Sequence, residues 1–216
     1  MNAVRWFVIS AMFVTLPGMV GCNVLGALAY KIKGPDPVEA LHKPAKKSTL
    51  VLADASTQGR ADFSDADAVA RYLHKELMER KIVPTADSEK VFDMRSRDPQ
   101  FGRKSMAEVG RAVGAEQVLY VDLKDVGVEQ IPGSGAIRSS ATAEVRLVDA
   151  ATGALIWPMH NSAGHVVSYE TPMTRLTDRI NPMQMRTAAV VGLADAIAKC
   201  FYDWKPGEDA APAPKP

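Results

Sequence analysis

A chain of 216 residues, 47% hydrophobic and 24% charged, has the composition of an ordinary globular protein with room for one core of about 150 residues. Its formal charge of +1 gives no electrostatic reason for nucleic acid or an anionic membrane surface as the main partner. With two cysteines, Cys22 and Cys200, a disulfide framework is excluded as the source of stability.

The amino-terminal end carries the strongest signal. Arg5 is followed by an apolar run, Trp6 to Leu16, then Pro17-Gly18 and Met19-Val20-Gly21-Cys22, the layout of an export signal. The tetrapeptide resembles the bacterial lipobox, with Met19 in place of the usual Leu. That resemblance implies a signal peptide over residues 1–21, cleavage after Gly21, and a diacylglycerol and palmitate anchor on Cys22. Removing residues 1–21 takes away Arg5 and no acid, so the mature chain has as many basic as acidic side chains. A rival reading is an uncleaved transmembrane helix from Trp6 to Tyr30, long enough for the roughly 20 residues a bilayer needs. Pro17, Gly18, Gly21 and Asn23 in mid-span argue against it, and Arg5 against Lys31 and Lys33 leaves orientation open. Residues 22–47, Pro- and Lys-rich and without apolar periodicity from Lys31 on, read as a tether. Residues 205–216 read as a disordered tail, leaving 48–204 as the domain.

Within that domain, Thr49 to Ala53 is a short apolar run that predicts a buried first strand. Ser64 with Asp67 predicts a capped helix carrying Ala66, Val69, Leu73 and Leu77 on one face. Ile82-Val83 suggests a short second strand, and Thr85 to Arg103 a surface loop. Ser105 with Glu108 starts a second helix that stops at Gly114, and Gln117 to Leu123 is the third strand. Strands separated by helices are expected to pair in parallel. Pro132-Gly133-Ser134-Gly135 then forms a turn, and Ser139 to Val148 alternates as a half-exposed antiparallel strand. Asp149 to Gly153 is a hairpin loop, Ala154 to Trp157 a return strand, and His165 to Tyr169 extends it or adds another. Asn181-Pro182 opens a closing helix with Val190, Leu193, Ile197 and Phe201 inward. The expected fold is α/β, a mixed sheet of about five strands in the order β-α-β-α-β-β-β-α.

Two segments resemble a known fold group. Met106 to Val121, a helix, then Val113-Gly114-Ala115-Glu116, then an apolar strand, is similar to a segment of proteins sharing the fold of the Tol-Pal translocation protein's amino-terminal domain. Ala143 to Trp157, with Leu147-Val148-Asp149-Ala150-Ala151-Thr152-Gly153, resembles their strand, Thr-Gly turn, strand and Trp hairpin. The curli secretion lipoprotein and the lipoprotein activators of penicillin-binding proteins share the layout. These motifs are turn chemistry, so they imply fold far more than function. The long extra strands of a curli-type pore have no counterpart here.

Candidate chemistry is sparse. His160 and His165 at odd spacing would sit on opposite faces of a strand, so no metal site is expected. His42 lies in the linker and His74 beside an apolar helix face. Cys200 falls among core positions rather than in a nucleophile's setting. Gly133-Ser134-Gly135 lacks the Lys-Ser or Lys-Thr of a phosphate loop. Asp54, Asp65, Asp67 and Asp122 show no pairing particular to glycoside chemistry, and Arg95, Arg97, Arg103 and Lys104 read as a solvated basic loop. No catalytic set, cofactor or metal is expected. The expectation is a non-enzymatic, lipid-anchored cell-envelope protein whose domain, facing the periplasm or the exterior, binds a protein partner. The alternatives are a membrane-anchored enzyme on wall or small-molecule substrates, and a structural subunit of an oligomer using an exposed sheet edge or the Trp157 to Tyr169 region.

Overall fold

The computed structural model describes residues 35–56, 59–175 and 181–207. Gly21, Cys22 and the expected signal peptide, and residues 208–216 of the expected tail, lie outside them. The larger of two compact units spans Glu39 to Trp204; of the smaller, only residues 35–38 and 205–207 are described.

The larger unit is an α/β fold with one mixed sheet of six strands. Strand β1 (Thr49–Ala55) is parallel to β2 (Gln117–Ile131), which is antiparallel to β3 (Ala136–Asp149). The far side of β3 takes three short antiparallel strands, β4 (Leu155–Trp157), β5 (His165–Glu170) and β6 (Thr174–Arg175). Four helices accompany them: α1 (Phe63–Glu79), α2 (Glu89–Arg97), α3 (Met106–Ala112) and α4 (Pro182–Lys199). The expected pairing of β1 with the Gln117 strand is therefore present, as are the Pro132 to Gly135 turn, with Gly133 and Gly135 at positive φ, and the Asp149 to Gly153 hairpin.

The core has two parts, one on each side of the sheet. On one side α1 and α4 bring Leu73, Leu77, Leu193 and Ile197 onto Leu119, Leu123, Val145 and Leu147, all nearly inaccessible. Each such leucine contributes about 1.5–3 kcal/mol by leaving water. On the other side α2 and α3 cover only the β1 end, with Val91, Val109 and Val113 on Leu50, Leu52, Val118 and Val148. Among the described residues nothing covers the rest of that face.

Three local expectations differ from the structure. The α1 cap is Asp62 with Asp65 in a reciprocal capping box, two residues before the expected Ser64 and Asp67. Asp67 instead pairs with Arg71 one turn on. Ile82-Val83 forms no strand: Ile82 N–H is used by Leu77 C=O at the end of α1, Lys81 turns the chain at φ 53°, and pairing with β1 is a single bridge at Thr85. Pro84, with no N–H, cannot lengthen that bridge into a ladder. The expected loop from Thr85 to Arg103 contains α2, whose one buried residue, Val91, leaves too faint an apolar stripe to see in the sequence.

Residues 39–47, within the expected tether, form no helix or strand but make specific contacts. Ala40 N–H and Lys43 Nζ donate to Asp203, and His42 N–H donates to Cys200 C=O.

Candidate functional site

The uncovered sheet face is where charged side chains gather. Alternation in β2 and β3 sends Leu119, Val121, Val145 and Leu147 into the core and Tyr120, Asp122, Glu144 and Arg146 to the opposite face. Register then aligns Asp54 of β1 with Asp122 of β2, and Asp122 with Glu144 of β3, a row of three carboxylates across three strands.

Like charges directly opposite one another destabilise a sheet. Two cations offset this. Lys124 occupies the bulge where the register slips between Leu123 and Asp125, and the extra residue places its Nζ 2.6 Å from Asp122 Oδ2 and 2.9 Å from Glu144 Oε2. Those two hydrogen bonds hold the Lys124 ammonium above its ordinary range. Arg95 of α2 reaches over the strand to put Nη2 2.7 Å from Asp54 Oδ1, its guanidinium also lying 5.1 Å from the Phe101 ring and 5.6 Å from that of Phe63. Beside the row, the Arg146 guanidinium sits 5.0 Å over the Tyr120 ring. Its Nε is buried with no hydrogen-bond partner. Burial, with Asp54 and Asp122 nearby, pushes the Tyr120 hydroxyl up to about 12.

This lattice offers charges of both signs side by side on the sheet face. Each carboxylate of the row is held by a cation rather than sharing a proton with another acid, the arrangement of a recognition surface more than of an acid–base couple. Lys124→Met leaves Asp122 opposite Glu144 without their cation and should cost about 0.5–1 kcal/mol in low salt. Urea unfolding with and without 1 M NaCl checks this, since salt should shrink the penalty.

The residues singled out in the sequence scatter. His42 leaves the linker to stack on Trp157, centroids 6.1 Å apart, with Phe201 edge-on at 6.4 Å; burial holds its imidazole below the ordinary range. His165 packs against the same indole at 5.1 Å, while His160 is exposed in the preceding loop. Among the described residues no three His, Cys, Asp or Glu side chains converge as a metal site. His74 is half-buried, with Nε2 3.4 Å from Thr85 Oγ1. Cys200 is buried, its thiol donates to Ala196 C=O, and burial pushes it up to about 11, so it stays protonated at neutral pH. Asp65 joins Arg186 in a structural ion pair. The basic loop is largely neutralised from within: Arg97 pairs with Asp93, Lys104 with Asp98, and Arg95 belongs to the sheet face.

A shallow groove of about 410 Å³ lies between the start of α3 and the β3–β4 turn. Its polar groups are committed elsewhere: Glu108 closes the Ser105 capping box and Arg111 donates to Ala150 and Ala151 carbonyls.

Sequence reasoning named Asp54 and Asp122 but did not join them to each other or to Glu144, Lys124 and Arg146. The available signal was the polar half of the alternation in Tyr120 to Lys124 and Thr142 to Arg146.

No helix among the described residues is long and apolar enough to cross a membrane. No protein-family model and no curated protein sequence matches the chain. Solved structures do. The lipoprotein GNA1162 from Neisseria meningitidis is 15% identical, with a TM-score of 0.43, covering 70% of this chain and 98% of its own. A PelC dodecamer from Paraburkholderia phytofirmans is 14% identical, with a TM-score of 0.38, over 77% of this chain and 97% of its own. LpoB from Escherichia coli is 19% identical, with a TM-score of 0.36, over 69% and 65%. With identities under 25% and TM-scores under 0.5, these are likenesses in the arrangement of elements alone.

Proposed function

We propose that this is a lipid-anchored protein of the bacterial cell envelope whose α/β domain binds another envelope protein and does no chemistry of its own. The observation that carries the anchor is Met19-Val20-Gly21-Cys22 after an apolar run, with Gly21 at the cleavage point and Cys22 as the acylated thiol. A single acyl chain binds membranes only marginally, whereas a diacylglycerol on Cys22 supplies two chains and so a stable anchor. What supports a binding role is the open sheet face, where Asp54, Asp122, Glu144, Lys124 and Arg146 form a rigid pattern of paired charges. Paired, pre-ordered charges give specificity and orientation to a protein contact more than raw affinity.

Radiolabelled fatty acid should enter the wild type and not Cys22→Ala, and the variant should retain its first 21 residues; equal labelling of both would end the anchor reading. In cells, cross-linking through a photo-reactive residue at position 142, beside the lattice, should capture a protein partner that Lys124→Met together with Arg146→Met releases. Unchanged capture would remove the sheet face from the proposal.

A further inference from the structure

The two edges of the sheet are treated differently by this chain. At the start of β1 the outward backbone groups are used: Thr49 N–H donates to Pro84 C=O and Thr49 C=O accepts from Ala86 N–H, both at 2.8 Å. Further along, Arg95 Nη2 lies 3.4 Å from Ala53 C=O. At β5 nothing comparable is present. Among the described residues no strand pairs with its outer side, and it contains neither Pro nor Lys, the usual devices that blunt an edge.

The parity of β5 is set by its neighbour. Thr171 N–H donates to Ser139 C=O, so Ser139 and Thr171 face each other across the β3–β5 ladder, and with them the odd-numbered residues of both strands. Asp149 N–H to Ala154 C=O and Ala150 N–H to Glu116 C=O give β3 the same parity at its other end. The backbone N–H and C=O groups of Val166, Ser168 and Glu170 therefore point away from the sheet. Their side chains lie on the open face and are exposed, Val166 by 56%.

We propose that this edge pairs with the same edge of a second copy, antiparallel and two-fold about Ser168, so that two sheets join into one. An antiparallel pair needs residues of matching parity opposite one another. With Ser168 on the axis all three outward residues find partners: Ser168 N–H and C=O exchange bonds with the second Ser168, and Val166 exchanges them with the second copy's Glu170. Among the registers that parity allows, only this one pairs all three outward residues within the strand. Moving the axis two residues to Glu170 would set Glu170 opposite Glu170, whereas pairing about Ser168 sets each Glu170 opposite a valine and leaves its ion pair with Arg138, 3.1 Å away, undisturbed. The occupant is a second copy because the three outward residues pair completely with themselves about Ser168 and no like charges then stand opposite one another. A strand of six residues makes a small interface, in the range of weak encounters, so the dimer depends on concentration.

The test uses the full chain in detergent. Ser168→Pro removes an N–H that the monomer does not use, and edge strands tolerate proline there, so the thermal unfolding midpoint should stay that of the wild type. Its self-association, measured by sedimentation equilibrium from about 1 µM to about 1 mM, should weaken at least tenfold. In a Cys22→Ala background, mild oxidation with copper phenanthroline should link Ser168→Cys to itself, since facing Cα atoms in such a pair lie about 5.5 Å apart. Val166→Cys alone and Glu170→Cys alone should not link, their own copies being about 13 Å away, while the Val166→Cys/Glu170→Cys double variant should. Equal association of wild type and Ser168→Pro overturns the proposal. So does a strict monomer, a monomer whose edge takes up an unrelated peptide strand instead, or linkage of Val166→Cys to itself as efficient as that of Ser168→Cys.

Discussion

Replacing Arg186 by methionine is expected to destabilise the protein by about 3 kcal/mol, the lower end of what breaking a buried ion pair costs. Arg186 projects from the first turns of α4 and gives every arm of its guanidinium to another element. Nε lies 2.9 Å from Asp65 Oδ1, Nη2 bonds Asp65 Oδ2 and, at 2.9 Å, the Arg60 carbonyl, and Nη1 lies 2.8 Å from the Val126 carbonyl in β2. The pair joins α1, α4 and β2 at one point. Asp65 has a side chain only 7% exposed, so without Arg186 its carboxylate stays out of water with the Asp62 N–H bond of the capping box as its remaining partner. The Val126 carbonyl also loses a donor. The lower end applies because Arg186 itself is 22% exposed, which lets water reach part of the site. In a domain of this size 1 kcal/mol moves the midpoint by about 2–4 °C, so a fall of roughly 6–12 °C should appear in a thermal melt followed by circular dichroism. The double variant Asp65→Asn/Arg186→Met should recover more than half of the loss, because the amide oxygen can still cap and no unpaired charge remains. A loss under 1 kcal/mol for the single variant would mean that the pair behaves as an ordinary surface bridge.

Gly192→Ala carries the second large effect, and its sign depends on a neighbour. Alanine in a helix interior is worth about 1 kcal/mol over glycine, so at a free position the change would stabilise α4. Here a Cβ would stand 2.2 Å from Tyr169 Cε1 and 2.3 Å from Cζ. The aromatic ring lies across the helix backbone where β5 passes beneath α4. Overpacking of this kind costs about 1–3 kcal/mol, so after the gain in helix propensity the net result should be a loss of up to about 2 kcal/mol in urea unfolding. With Tyr169→Leu already in place the same Gly192→Ala change should become neutral or stabilising. Failure of the sign to change would show that the glycine is there for a reason other than the ring. The result bears on β5 directly, since Tyr169, with the buried Val167, holds that short strand to the helix layer.

Much of the architecture could be read from residue order because its causes are local. The Ser105 to Glu108 and Asn181 to Gln184 capping boxes, Pro182 at the start of α4, Gly114 at φ 78° and the turn glycines each act within four residues of themselves. The alternation of Ser139 to Val148 sets two faces without reference to any partner. Cys200, a core position by spacing, is indeed buried. Where the cause is not local the reading went astray: α2 is helical although its apolar face is one valine wide, and Ile82-Val83, apolar enough for a strand, is claimed by the end of α1.

By itself, then, the sequence determined the starts of α3 and α4, the turns, the alternating faces of the long hairpin and the expectation of an acylated amino-terminal cysteine, because each of these follows from the chemistry of a few neighbouring residues. Only the tertiary structure decided which face of the sheet stays bare, that Asp54, Asp122 and Glu144 fall in one row with Lys124 between two of them, and that the start of β1 is bridged while, among the described residues, the outer edge of β5 is open. Those outcomes depend on strand register and on where helices dock, and both are settled by contacts between residues far apart in the chain, such as Arg186 with Asp65 and Arg95 with Asp54.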